Sequence, residues 1–210
     1  KKWRSECDFM ILLYHGGIET YNLPTPEMFG NFNFLADSGI DLIVCNHQHV
    51  LSGYQIAGKR SIFYGLGNFI FDSPAMWDNP WNYGLILNLH IQGNVLEDFK
   101  LTPFEQCNGD PGININHQIS ARIHKEIEEI NLKISENDIL KEWNAYCSRQ
   151  YEEVLADFFI QNRYLRFILK RIGVLNWLVT SQHQRRVHNY LRCSSLMELA
   201  RDSLKSRISG

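Results

Sequence analysis

Two histidines, His47 and His49, stand one residue apart directly after a short apolar run at residues 42–45. A run of this kind predicts a buried strand of a parallel sheet. Open α/β sheets place their chemistry just past the carboxyl ends of their strands. Because a neutral imidazole is a good ligand for zinc, iron or manganese, this loop is a candidate metal site.

A third histidine, His15, follows an earlier apolar run at residues 8–14. That run also predicts a buried parallel strand. A proline-initiated helix that ends at Gly39 is predicted between the two runs, which together would form a βαβ unit. Since parallel strands end at the same edge of a sheet, the pattern predicts that His15 lies beside His47 and His49.

Each histidine could instead be a hydrogen-bonded polar residue of a loop with no ligand. Cys45 lies two residues before His47 and four before His49, so in an extended chain all three side chains point the same way. A thiolate with two imidazoles would favour a zinc-stabilised structural loop. The apolar run around Cys45 favours a small buried core residue instead.

A hydrolytic two-metal site normally also needs carboxylates. Glu19 and Asp72 are the nearest, and Glu19 could be a ligand, a partner of a ligand or a base. The alternative for each is a solvated loop acid. The chain opens at Lys1 without a methionine, a few residues before a strand, so we expect a fragment of a longer protein. The carboxylates of a complete site would then come from the preceding part.

Composition narrows the class of protein. The chain has 210 residues, of which 44% are hydrophobic and 21% charged, as in ordinary globular proteins. The sequence contains no apolar run of eighteen residues that would predict a membrane span. Its five cysteines are scattered without a paired motif, which argues against a disulfide framework and favours a reducing compartment.

Charge is distributed unevenly along the chain. Residues 1–160 carry 11 Lys and Arg against 21 Asp and Glu, whereas residues 161–210 carry 10 against 2. The C-terminal stretch is thus basic and is interleaved with aromatic residues. It predicts either contact with an anionic membrane surface, polymer or partner, or a solvated face that neutralises the acidic body. No nucleic-acid-binding motif is present, so nucleic acid is not an expected partner.

The middle of the sequence alternates between strands and turns. Residues 84–101 predict a β-hairpin, and the turn-rich segment 107–112 predicts a domain boundary. From residue 113 the isoleucine spacing is helical. The Gly65–Asn68 turn could approach a phosphate or simply connect strands, and Trp77 and Trp81 could stack on a sugar or cover the core.

Three segments resemble successive motifs of the CapA-type poly-γ-glutamate capsule biosynthesis family, in the same order and at similar spacing. They are His15-Gly-Gly-Ile-Glu19, Asp37-Ser-Gly-Ile-Asp-Leu-Ile-Val-Cys-Asn-His-Gln-His-Val50 and Tyr64-Gly-Leu-Gly-Asn-Phe-Ile-Phe-Asp72. The resemblance implies an α/β (α+β) fold, the C-terminal half of a calcineurin-like metallophosphatase mixed β-sandwich. Residues 1–112 would form this part, with the N-terminal half absent, and residues 113–210 would form a helical C-terminal extension.

The same resemblance implies that His15 and His47 bind one divalent metal ion and that His49 binds the other, with manganese, iron or zinc as candidates. Glu19 would join these histidines as a catalytic residue. The parent protein would be a metal-dependent, phosphoesterase-like hydrolase of surface-polymer synthesis, acting on a phosphoester or an anionic polymer. The alternative is a non-catalytic scaffold of the capsule machinery that docks a membrane or partner through residues 161–210. Either protein would be cytoplasmic or peripheral to the membrane.

Overall fold

The computed structural model describes residues 3–58, 60–71, 80–106, 109, 112–135, 138–160, 162–174 and 180–192. The chain forms two compact units, residues 1–144 and residues 145–210. The candidate site residues predicted from the sequence all fall in the first unit.

The first unit begins with a four-stranded sheet in the order β1-β2-β4-β3. Its strands are β1 (Ile11–His15), β2 (Leu42–Asn46), β3 (Tyr54–Ala57) and β4 (Arg60–Phe63). β1 and β4 both run parallel to β2, and β3 pairs antiparallel with β4. Helix α1 (Pro26–Asp37) connects β1 to β2, so the predicted βαβ unit is confirmed.

Helix α1 begins and ends at the residues that its sequence indicates. Thr25 caps the N-terminus, where its hydroxyl accepts a hydrogen bond from the Met28 amide at 3.1 Å. The helix stops before Gly39, whose φ of 108° a residue with a β-carbon rarely adopts. Met28 and Phe32 are buried on the face that packs against the sheet.

The prediction that β1 is a buried strand is wrong. Leu13 is 77% exposed, and Ile11 and Tyr14 are also exposed. The reason is position: β1 lies at the end of the sheet and pairs only with β2 among the described strands. A run of apolar residues does not distinguish such a strand from β2, whose residues 42–45 are fully buried.

A second, antiparallel sheet packs against the first. Its strands are β5 (Tyr83–Gln92), β6 (Val95–Gln106) and the short β7 (Ile113–Asn114). The hairpin predicted near residues 84–101 is therefore confirmed and is longer than expected. Residues of both sheets share one core, which includes Leu42, Phe63 and Leu101. This mixed helix and sheet architecture confirms the predicted α/β class.

Helix α2 (His117–Ser135) completes the core of the first unit. Its buried residues Ile123 and Ile127 belong to the same cluster as the strand residues. The Asn131 side-chain oxygen also accepts a hydrogen bond from the Tyr54 amide at 2.7 Å. The compact unit therefore extends beyond the turn-rich segment 107–112, and the assignment of residues 1–112 to the family domain stays a prediction.

The rest of the described chain is helical, as the sequence predicts, although the prediction of helix from residue 113 is wrong for Ile113 and Asn114, which form β7. Helix α3 (Ile139–Phe159) is followed by α4 (Arg163–Arg171) and α5 (Ser181–Arg192). The Asn162 side chain accepts hydrogen bonds from two amides of the first turn of α4. Among the described helices, none has the length and hydropathy needed to cross a membrane.

Candidate metal centre

The parallel pairing of β1 and β2 places the three predicted histidines in a row. His15 is the last residue of β1 and lies opposite Asn46, the last residue of β2, so His47 follows immediately. The ring centres of His15 and His47 are 4.8 Å apart, and those of His47 and His49 are 5.9 Å apart. The structure thus brings together imidazoles from two strand ends, which we call the histidine row.

The loop that carries His47 and His49 has an unusual backbone. Their φ angles are 150° and 61°, in the region that favours glycine. Two hydrogen bonds tie this loop to the loop after β1. The Gly16 amide donates to the Asn46 carbonyl at 3.0 Å, and the Thr20 amide donates to the Gln48 carbonyl at 2.8 Å. The strained conformation is therefore held by the neighbouring strand end.

Gln48, between the two histidines, anchors the loop to the core. Its side chain is 1% exposed, and its amide nitrogen donates to the Tyr64 carbonyl at 2.9 Å. Because Gln48 points into the protein, the histidines on either side keep partly exposed rings. The Gln48 side-chain oxygen has no hydrogen-bond partner among the described residues.

His49 is surrounded by residues that the sequence did not predict to be its neighbours. Its ring stacks on the Trp81 ring, with centres 4.6 Å apart and planes inclined by 26°. Its Nδ1 lies 2.7 Å from the side-chain oxygen of Asn68. The ring centre of Phe71 lies 5.6 Å from that of His49. The sequence did offer one indication that Asn68 and Phe71 belong to the site, because both lie in the third motif segment.

Asn68 reaches His49 because two chain segments cross very closely. A β-carbon on Gly67 would clash with the Tyr83 carbonyl, and one on Gly84 would clash with the Asn68 carbonyl. The Leu85 amide also donates to the Leu66 carbonyl at 2.8 Å. Close packing against β5 therefore explains why this turn contains glycine. Of the two interpretations of the Gly65–Asn68 turn, this supports a connection between strands rather than a phosphate-binding loop.

Cys45 is a core residue rather than a neighbour of the imidazoles in a zinc site. Its side chain is fully buried, and its thiol donates to the Gly16 carbonyl at 3.2 Å. Burial raises the pKa of this thiol to about 12. The thiolate that zinc requires is thus disfavoured here.

Of the two predicted carboxylates, only Glu19 falls within the described residues, and it does not join the histidine row. Glu19 is exposed, and no hydrogen bond or ion pair links it to the row. Asp72 and Trp77 lie outside the described residues. Within the described part of the chain, no group of three His, Cys, Asp or Glu side chains is arranged to hold a metal ion.

A cavity of about 470 Å³ borders the same region. Trp81 and Val50, the residue after His49, contribute to its wall, together with Thr20, Asn22 and Glu126. A larger cavity of about 630 Å³ lies elsewhere, beside Arg4, Gly39 and Asp41. Since Asp41 precedes β2 and His47 follows it, the larger cavity lies at the opposite end of this strand from the histidine row.

Comparison with known proteins gives a consistent result for this region. Residues 1–73 match the model of the family described as bacterial capsule synthesis protein PGA_cap. The N-terminal part of the chain is therefore similar to this CapA-type capsule biosynthesis family. The match includes all three motif segments and the whole histidine row.

Two Bacillus proteins are similar over a longer stretch. The capsule biosynthesis protein CapA of Bacillus anthracis is 30% identical over 108 residues, which is 51% of this chain and 26% of that protein. The PGA biosynthesis protein CapA of Bacillus subtilis (strain 168) is 30% identical over 102 residues, 49% of this chain and 26% of the relative. The aligned part thus spans about a quarter of the length of these CapA proteins.

Proposed function

We propose that this CapA-type chain contributes to the synthesis of a bacterial capsule or other surface polymer, and that its histidine row is part of a divalent-metal site of phosphoesterase type. The observation that carries the proposal is the row itself. Its imidazoles come from two neighbouring strand ends, and the ring centre of His47 lies 4.8 Å from that of His15 and 5.9 Å from that of His49.

The spacing of the imidazoles fits metal ligation. With a metal–nitrogen distance of about 2.1 Å, two imidazoles on one tetrahedral ion have ring centres about 5 Å apart. His15 and His47 match this value at 4.8 Å. They would hold one ion and His49 the second, as the family resemblance implies. A bound metal would lower the pKa of a water and stabilise charge on phosphoryl oxygens.

The histidine row is only part of a ligand set, because a hydrolytic two-metal site also uses carboxylates. We propose that these come from the N-terminal half of the family domain, outside this sequence. The substrate would be a phosphoester or an anionic polymer. The cavity beside Trp81 and Val50 offers space for it next to His49.

Zinc titration of the 210-residue chain tests the role of the histidines. Isothermal calorimetry should show that His47→Ala weakens Zn²⁺ binding by at least about tenfold, since one of the clustered imidazoles is removed. His124 is an exposed histidine of α2, so His124→Ala is the matched control and should bind as the unaltered chain does. Equal affinities for the two variants would refute the metal site.

A second candidate function is a non-catalytic scaffold that docks an anionic membrane surface through the second unit. The observation in its favour is that basic helix α4 exposes apolar side chains, with Tyr164 81% and Phe167 64% exposed. Basic residues beside exposed aromatic and aliphatic groups are typical of membrane-surface helices. This reading is compatible with a protein peripheral to the membrane.

Binding to lipid vesicles tests whether the chain is a membrane-docking scaffold. Reversing three exposed arginines of the second unit, Arg171, Arg185 and Arg186, to Glu should abolish co-sedimentation with phosphatidylglycerol vesicles. Reversing three exposed lysines of the first unit, Lys100, Lys125 and Lys141, makes the same charge change and should leave binding intact. Equal loss in both triple variants, or no binding by the unaltered chain, would remove the scaffold reading.

A further inference from the structure

Asn68 is a buried side chain whose orientation is fixed by its neighbours. It is 8% exposed, and its amide nitrogen donates to the Trp81 carbonyl at 3.0 Å and more weakly to the His49 carbonyl at 3.4 Å. A backbone carbonyl only accepts hydrogen bonds, so the group that faces both carbonyls must be the NH₂. The other end of the amide, which faces His49, is therefore the oxygen.

This orientation determines where the proton of a neutral His49 lies. The Asn68 oxygen is 2.7 Å from His49 Nδ1 and can only accept a hydrogen bond. Nδ1 must then carry the proton, which leaves the lone pair on Nε2. The preference is specific, because the opposite tautomer would place two acceptors against each other in a half-buried site.

The ring plane of His49 is constrained as well as its tautomer. Trp81 stacks on one side, and the carbonyl of the same Trp81 holds the Asn68 amide. Asn68 thus links the imidazole of His49, the backbone of His49 and the tryptophan that packs on it. A group that fixes both the tautomer and the orientation of an imidazole acts on ligation through that imidazole.

We propose that Asn68 is a positioning residue that holds His49 as the Nδ1–H tautomer and presents Nε2 as the ligating atom. The tautomer follows from the hydrogen bonds alone. What Nε2 binds rests on the proposed function, in which His49 is a metal ligand. No contact between Asn68 and the bound group is required.

Nuclear magnetic resonance of the histidine side chains tests the tautomer without any metal. At a pH where the imidazoles are neutral, long-range ¹H–¹⁵N spectra of the unaltered chain should show His49 protonated at Nδ1 only. Asn68→Ala should give a mixture of both tautomers. In Asn68→Asp the donor to the Trp81 carbonyl is lost, but a carboxylate oxygen still accepts from Nδ1, so the single tautomer should return in the folded variant.

Asn82→Ala is the matched control, since Asn82 is a buried asparagine that donates to the Gln106 carbonyl. It should leave the His49 spectrum unchanged. A mixed tautomer in the unaltered chain would overturn the inference, as would a single Nδ1–H tautomer that persists in a folded Asn68→Ala variant. Circular dichroism reports folding, and the spectrum of the unaltered chain is decisive even if Asn68→Ala does not fold.

Zinc affinity separates this inference from the proposed function. If both hold, Asn68→Ala should weaken Zn²⁺ binding by roughly 10- to 100-fold, and Asn68→Asp should restore it. If the unaltered chain shows the Nδ1–H tautomer but binds no Zn²⁺, the metal site fails and the positioning of His49 stands. If His47→Ala weakens binding but Asn68→Ala changes neither affinity nor tautomer, the role of Asn68 fails alone.

Discussion

His47 has a backbone conformation that its residue type does not favour. Its φ of 150° is strained for any residue with a β-carbon, and such strain costs about 1–3 kcal/mol. The loop therefore gives up stability to present an imidazole beside His15. Strain of this kind is common at functional sites, where the surrounding structure holds it in place.

This strain predicts that the Gly and Ala variants at His47 have the opposite order of stability from the Gly and Ala variants at His15. His47→Gly should have a higher free energy of unfolding than His47→Ala by about 1 kcal/mol or more, because glycine relieves the strain. At His15, which has ordinary strand backbone, the Gly variant should be less stable than the Ala variant by about 0.5–1 kcal/mol. Urea denaturation of the four variants measures both differences. The same ranking at the two positions would contradict the argument.

Cys45 should be chemically inert in the folded protein. Its thiol is fully buried and its pKa is raised to about 12 by that burial, so at pH 8 the thiolate fraction is only about 10⁻⁴. Cys7 and Cys147 are exposed and should react with iodoacetamide first. Mass spectrometry of digested protein assigns the modified residues. Modification of Cys45 at the rate of Cys7, without denaturant, would show that this part of β2 is open.

At the residue scale, the sequence predicted part of the candidate site. The histidine row follows from two apolar runs that end in histidine, because parallel pairing brings their ends together. Asn68 and Trp81 were not predicted as neighbours of His49, since their contacts depend on how the two sheets pack. The carbonyl of Trp81 and the side chain of Asn68 meet only through the close crossing at Gly67 and Gly84.

At the scale of helices and strands, the sequence predicted the features that depend only on residues close together in the chain. Helix α1 begins at its cap and ends before Gly39, and the β5–β6 hairpin turns at Gly93. The exposure of β1 was not predictable, because strand order is a property of the whole sheet. The isoleucine spacing of helix α2 predicts that one face is buried. It does not predict which elements bury that face, because this also depends on the packing of the whole unit.

The packing of α2 gives a testable expectation for stability. Ile127 is 2% exposed in the core shared by both sheets, so Ile127→Ala should lower the free energy of unfolding by about 2–5 kcal/mol. Leu132 lies on the opposite, exposed face of the same helix, and Leu132→Ala should change it by less than about 0.5 kcal/mol. Urea denaturation of both variants provides the measurement. Similar losses would mean that α2 does not pack as described.

For the whole molecule, the proposed division of ligands predicts the catalytic behaviour of this chain. The described residues contain no complete metal-ligand group, and the aligned part covers about a quarter of the CapA relatives. We therefore expect the 210-residue chain to hydrolyse p-nitrophenyl phosphate no faster than buffer with Zn²⁺ or Mn²⁺. Release of p-nitrophenol is the readout. Turnover that His47→Ala abolishes would show that the histidine row suffices without further carboxylates.

The exposed strand β1 has a practical consequence for work with this polypeptide. Among the described strands it is paired on one side only, and the side chains of Leu13 and Ile11 are exposed to solvent. Such an edge readily recruits another extended segment, so concentrated samples should be prone to intermolecular strand addition. Leu13→Lys leaves the imidazoles and their supporting side chains untouched. It is therefore the first substitution to make when preparing samples for spectroscopy or crystal growth.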